Sequence, residues 1–292
     1  MEFCEFEKGI VIKNIEDFEL KHTFDCGQCF RWSEDKEGSY IGVAGKKAVR
    51  IYKKEKDIFI EGAKIDDALF WVNYLDLERD YKAVKKELSK DSVLLEAINY
   101  GYGIRILNQE MFETTISFII SANNRIPMIK RAIENICKTF GDKIEFEGNT
   151  YYSFPTALQL SRANIEDLER CGCGFRAKYI VDTTKEILSN EAYLLFISRM
   201  KTDDAQRELM KLKGIGPKVA DCILLFSMQK YDAFPVDIWV KRVMQYFYLA
   251  PDVSLKKIRE FGRNKFKDYA GFAQQYLFYY ARDFKGREGF LK

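Results

Sequence analysis

Leu209-Met-Lys-Leu-Lys-Gly-Ile-Gly-Pro-Lys-Val-Ala-Asp-Cys-Ile223 ends one helical run and begins another within a few residues. Gly214-Ile215-Gly216 stops the first run. Pro217 stands where the second can start, because proline is tolerated at the first helical position. Two glycines around one apolar residue allow a tight turn with positive φ and keep side chains off the backbone amides. Free amides at a helix N-terminus make a phosphate-binding site. A plain αα-corner uses the same residues, so the turn alone fits both readings.

Lys218 falls in the first turn of the second helix, where a lysine ordinarily points to solvent. The positive end of the helix dipole also opposes its charge. That placement is expected to lower its pKa from the ordinary value of about 10.4, as an amine nucleophile requires. Cys222 follows at i+4 and shares its face. Ala233-Phe-Pro-Val-Asp237 then opens another helix, with Asp237 at the N-cap. An aspartate held there beside a cleft can also stabilise positive charge developing on a sugar.

Outward from the hairpin the chain reads as helical almost without interruption. The periodicity predicts helices over Gln109–Ala122, Ile126–Phe140, Arg176–Leu188, Asp203–Leu212, Pro217–Gln229, Val236–Leu249, Ser254–Phe266 and Phe272–Ala281. An earlier helix is expected from Leu69, capped by Asp66 or Asp67. The first sixty or so residues differ. Gly9–Lys13, Ser39–Val43, Ala48–Tyr52 and Asp57–Glu61 are short and rich in Val, Ile, Phe and Tyr. Charged turns such as Glu34–Gly38 and Lys53–Asp57 separate them, which predicts an antiparallel meander. The expected fold class is α+β: an N-terminal antiparallel β-sheet domain over 1–95, then a mostly α-helical body over 96–292. The helix-hairpin-helix lies at about 203–229.

Composition removes several function classes. The 292 residues carry 47 basic and 44 acidic side chains, so no strongly basic domain or tail exists, although a local basic patch is compatible with that balance. His22 is the one histidine and no triad or metal motif surrounds it, which excludes Ser-His-Asp chemistry and His-rich zinc sites. Seven scattered cysteines and no long apolar run point to a reduced, intracellular setting without a membrane segment. Cys26-x-x-Cys29 lacks a second pair at zinc-ribbon spacing, so both read as buried thiols rather than ligands. No metal or organic cofactor is expected.

Gly214-Ile-Gly-Pro-Lys218 followed by Val236-Asp237 resembles the helix-hairpin-helix/Gly-Pro-Asp superfamily of DNA glycosylases, in its lysine-bearing bifunctional branch. Cys26-Gly-Gln-Cys-Phe-Arg-Trp32, Ser121-Ala-Asn-Asn124, Gly172-Cys-Gly-Phe-Arg-Ala-Lys-Tyr179, Lys218-Val-Ala-Asp-Cys222 and Gly271-Phe-Ala-Gln-Gln-Tyr-Leu-Phe278 occur in the order of the 8-oxoguanine DNA glycosylase family. The resemblance runs through most of the chain. It implies excision of a flipped base from damaged double-stranded DNA by a monomeric enzyme, with Lys218 as nucleophile, Asp237 as carboxylate partner and lyase activity afterwards.

The resemblance also assigns roles. Gln274 and Phe278, one helical turn apart, would read and stack on the base, with Cys222 as the opposite wall. The carbonyl of Gly27 would accept the N7 hydrogen that oxidised guanine carries and ordinary guanine lacks. Asn123 would fill the hole in the duplex beside Asn124, Phe175 would wedge, and Arg176 would face the orphaned base. Gly214 and Gly216 would hold phosphate. Two positions depart from the eukaryotic members. Met128 stands where they place an arginine against the estranged cytosine, which predicts a relaxed preference for the opposite base. Trp239 stands where they place a phosphate-contacting histidine, so packing or contact with the lesion flank is expected there. Endonuclease III-type relatives usually carry a four-cysteine cluster near the C-terminus, and no cysteine follows Cys222.

Overall fold

The computed structural model describes residues 1–35, 38–190 and 192–283. Strands β1 (Phe3–Phe6), β2 (Gly9–Ile12), β3 (Trp32–Glu34), β4 (Tyr40–Ala44), β5 (Lys47–Lys54) and β6 (Asp57–Glu61) form one antiparallel sheet in the order β1-β2-β6-β5-β4-β3. The expected meander holds from β3 to β6. It fails before that: helix α1 (Leu20–Phe24) and the loop after it intervene, and β2 returns to pair with β6. Positions 36 and 37 of the expected turn lie outside the described residues. Register places Ile10 beside Ile60, Ile60 beside Ile51, and Ile51 beside Tyr40. This row of fully buried side chains crosses four strands and fixes the sheet's inner face.

Trp71 of α2 (Ala68–Tyr74) packs in the same core, where Phe24 stacks on Trp32 at 4.3 Å and the Trp32 indole donates to Tyr74 Oη. Asp66 and Asp67 do not cap α2 through their side chains. Ile65–Asp67 form a 3-10 turn ahead of it, and Asp67 accepts from the Lys64 amide instead.

The helical body continues with α3 (Tyr81–Leu88), α4 (Ser92–Tyr100), α5 (Met111–Ser121), α6 (Ile126–Phe140), α7 (Ala157–Leu160), α8 (Ile165–Arg170), α9 (Ala177–Ser189) and α10 (Tyr193–Ser198). It closes with α11 (Thr202–Leu209), α12 (Pro217–Ser227), α13 (Ile238–Phe247), α14 (Leu255–Phe266) and α15 (Ala270–Asp283). Caps trim the predicted spans: Glu110 accepts from two amides of α5, and Ser254 accepts from the Lys257 amide of α14. A hairpin not foreseen in the sequence, β7 (Lys143–Phe146) and β8 (Asn149–Tyr152), interrupts the body. Its turn residues Glu147 and Gly148 both have positive φ, the signature of the two-residue turns that suit hairpin twist.

Two cores result, and the segment after α1 runs along their seam. Phe24, Cys29 and Trp32 belong to the sheet core, whereas Cys26 and Phe30 belong to the helical one. Arg105 fastens this seam. It is 4% exposed, donates to the carbonyls of Glu16, Asp17 and Asp76, and lies 4.4 Å from the Tyr81 ring centroid. Replacing it by methionine strands three carbonyls, so Arg105→Met should lower unfolding free energy by about 3 kcal/mol in urea denaturation. A loss below about 1 kcal/mol would show that the seam is held by other contacts.

Candidate active site

Helices α11 and α12 flank the glycine turn. Gly214 has φ +82, and a Cβ there would come within 2.8 Å of Tyr179 on α9, so both conformation and space require glycine. Thr183 of α9 donates to the Lys213 carbonyl at 3.0 Å, tying the turn to that helix. Gly216 does not share that positive φ. Its backbone is extended (φ −95, ψ 179), and a Cβ would meet nothing within 4 Å. Any residue can adopt that conformation. What glycine leaves at 216 is open space beside the first amides of α12.

Lys218 is half-buried, with Nζ 5.2 Å from the centroid of Phe118, whose ring stacks on Phe226. Cys222, one turn on, is 3% exposed. Burial pushes its thiol up to about 11, against the pull of the nearby Lys218 ammonium. The thiol therefore stays protonated and serves as a small apolar wall. Asp237 caps α13, accepting from the Val240 amide at 2.8 Å. Burial raises its carboxyl above the ordinary carboxylate range, while that amide and the Lys218 charge act in the opposite direction. Lys218, Cys222 and Asp237 thus share one electrostatic environment.

The sequence reading passed over what holds α12 in place. Asp221, 1% exposed, receives Arg259 Nε at 2.6 Å and Nη2 at 3.0 Å, and Gln206 Nε2 at 2.9 Å. Arg259 also reaches Asp203 at 3.0 Å, and Arg263 bridges Asp203 to Asp232. The donors come from α11 and α14, so three helices meet at one carboxylate. An aspartate three residues after a lysine on an otherwise apolar helix was the available signal.

In the loop after α1, Gly27 has φ +80, and a Cβ there would lie 3.2 Å from Phe278 Cε1. The loop and the α15 ring are therefore in contact. Gln274, one turn before Phe278, is 4% exposed, and its Oε1 has no hydrogen-bond partner among the described residues. Buried amides are normally satisfied, so this oxygen is free to accept a hydrogen bond, as are the buried Trp71, Thr184 and Tyr276 polar atoms to make one.

The remaining predicted residues form a second surface. Asn123 is exposed with φ +50, just past the end of α5. Asn124 ends that helix, donating to the Ile120 carbonyl and accepting from the Arg125 amide. Phe175 is 57% exposed, edge-on to Tyr179. Arg176 is not the surface charge that its neighbourhood suggests. It is 8% exposed, donates to the carbonyls of Ala122 and Asn123 at 2.8 Å, and lies under the Phe175 ring. Met128 is exposed, and Trp239 is partly buried against the helical core with Arg242 over its ring.

Residues 10–115 match the family model of the 8-oxoguanine DNA glycosylase N-terminal domain, and residues 116–268 match that of HhH-GPD superfamily base excision DNA repair proteins. The chain belongs to the 8-oxoguanine DNA glycosylase/lyase family. It is similar to Clostridium acetobutylicum 8-oxoguanine glycosylase/lyase, whose crystal structure contains double-stranded DNA with cytosine opposite 8-oxoG. That match has 51% identity and a TM-score of 0.96 over 98% of this chain and 99% of the other. The Saccharomyces cerevisiae N-glycosylase/DNA lyase is 31% identical over 94% of this chain and 86% of its own. A probable N-glycosylase/DNA lyase of Methanothermobacter thermautotrophicus is 36% identical over 66% and 68%. Membership makes the chain a base-excision DNA glycosylase with lyase activity.

For this family member the half-buried Asp237 carboxylate carries a stability consequence. Its folded pKa is raised, so the native state disfavours the charged form above that pKa. Below the unfolded value both states are protonated and the penalty vanishes. Asp237→Asn keeps the cap, so its melting temperature at pH 7 should equal or exceed that of wild type, with the difference disappearing below about pH 3.8. A clear loss of stability at pH 7 in thermal melts would contradict this.

Proposed function

We propose that Lys218 and Asp237 carry out 8-oxoguanine excision on duplex DNA as follows. The neutral Lys218 amine attacks the sugar C1′ as the C1′–N9 bond breaks with its electrons on the base. Asp237 stabilises the positive charge that develops on the sugar. Ring opening gives a Schiff base, loss of a C2′ proton eliminates the 3′-phosphate, and water releases the enzyme. The supporting observation is that the half-buried Asp237 carboxylate, at the start of α13, feels the charge of the half-buried Lys218 amine at the start of α12. Borohydride trapping on a lesion duplex tests this. Wild type should form a covalent adduct and Lys218→Gln should form none; equal trapping of the two would refute the mechanism.

Gln274 and Phe278 would read and stack on the flipped base, the Gly27 carbonyl would accept its N7 hydrogen, and Cys222 would close the far side. One such hydrogen bond, with acceptor against acceptor for ordinary guanine, gives discrimination of a few kcal/mol, about 2. Gly214 and Gly216 would seat a phosphate, while Asn123, Asn124 and Phe175 would occupy the gap in the duplex. Trp239 would pack at the lesion flank. The chain acts here as a monomer inside the cell, on a reaction that draws on no metal or organic cofactor. Among the described residues no helix is long and apolar enough to cross a membrane.

Recognition of the orphaned base is weak in this reading. Met128 has no donor, and the Arg176 guanidinium is already committed to backbone carbonyls. Excision of 8-oxoguanine paired with each of the four bases should therefore vary by no more than about tenfold, one good hydrogen bond's worth. Met128→Arg should favour the cytosine pair. Cleavage of the cytosine-paired duplex alone by wild type would overturn the relaxed preference.

A further inference from the structure

The loop that carries Gly27 is held in an unusual way. The Thr23 carbonyl accepts from Gln28 Nε2 at 2.8 Å and from Cys26 Sγ, and the Phe24 carbonyl accepts from Cys29 Sγ. The Asp25 carbonyl accepts from Arg282 at 2.8 Å. The Cys26 carbonyl accepts from Gln275 Nε2 at 2.8 Å, and the Gln28 carbonyl from Gln109 Nε2 at 2.7 Å. From Thr23 to Gln28, the Gly27 carbonyl alone receives no hydrogen bond among the described residues.

Peptide groups are rigid planes, so a carbonyl can change direction only by rotation about the φ and ψ bonds beside it. The plane bearing the Gly27 oxygen lies between two others. One is fixed through the Cys26 oxygen by Gln275, and the other through the Gln28 oxygen by Gln109. Glycine at φ +80 is the residue most able to let its plane turn over, so without those two anchors the carbonyl direction would be loose. Gln275 is 2% exposed, and no second function for its donor is needed to explain its burial. It also follows Gln274 directly on α15. One helix therefore presents the amide aimed at the base and fixes the plane next to the Gly27 carbonyl.

We propose that Gln275, supported by Gln109, is a positioning residue that aims the Gly27 carbonyl and so sets discrimination for oxidised guanine. The inference rests on the reading that Gly27 accepts the N7 hydrogen. Its test uses two lesions in the same duplex, 8-oxoguanine and 7-deaza-8-oxoguanine, which replaces the N7–H with C–H. Single-turnover excision is measured for wild type and Gln275→Met, a change of similar volume that removes the side-chain amide.

Wild type should favour the N–H lesion by about tenfold, and Gln275→Met should compress that ratio to less than about threefold. A merely structural defect would slow both lesions alike and leave the ratio unchanged. An unchanged ratio in the variant therefore overturns the inference while the Gly27 reading stands. A wild type that cuts both lesions equally removes the Gly27 reading and the inference with it. Gln109→Met, acting on the other plane from a half-buried position, should compress the ratio in the same direction and serves if Gln275→Met does not fold.

Discussion

A carboxylate at 1% exposure has to be paired, and the pairing of Asp221 with Arg259 governs the geometry of the reactive helix. Asp221 lies between Lys218 and Cys222 in sequence, and its side chain faces the α11 and α14 donors. Gln206 and Arg259 can satisfy it in one arrangement of the three helices, so α12 has little freedom to rotate about its axis. The amine on the neighbouring face inherits that constraint. Breaking such a pair leaves an unsatisfied buried charge, which costs far more than the contact itself appears to contribute. A nucleophile on α12, as proposed for Lys218, would benefit from this stiffness.

Much of this was legible in the sequence where local chemistry decides the outcome. Gly214, Pro217 and Asp237 are read correctly because turn conformation, the first helical position and the N-cap each select few residue types. The limits of α6 and β6 follow from periodicity and flanking turns. Illegible features depend on distant partners. The return of β2 to β6 is set by which isoleucines meet across the sheet. Arg176 looks like a surface charge until the carbonyls past the end of α5 fold back onto it. The Asp221 pair joins positions 38 residues apart, and no spacing rule connects them. The β7–β8 hairpin was readable in part, because Glu147-Gly148 is a turn signal set between short alternating runs.

The site also concentrates groups that the fold would do better without. Gln274 has a buried oxygen with no partner, and Asp237 is held where burial opposes its charge. Cys222 is spared such conflict because its buried neutral form is the one it keeps. Arg105, by contrast, satisfies three carbonyls across the seam, although the buried Trp71 Nε1, Thr184 Oγ1 and Tyr276 Oη also have no partner among the described residues.

The hydrogen bond from Gln275 to the Cys26 carbonyl spans 249 positions. Contacts so remote in sequence carry a loop-closure cost that has to be met before they reward the chain, so they form late in folding. The Asp221–Arg259 pair that anchors α12 closes over a shorter span of 38 positions, although Lys218 also packs on Phe118 of α5. Order of assembly therefore differs between the two halves of the cleft. The Asp221 anchor of α12 can organise before the hold on the Gly27 loop, which is completed only when α15 docks across the seam.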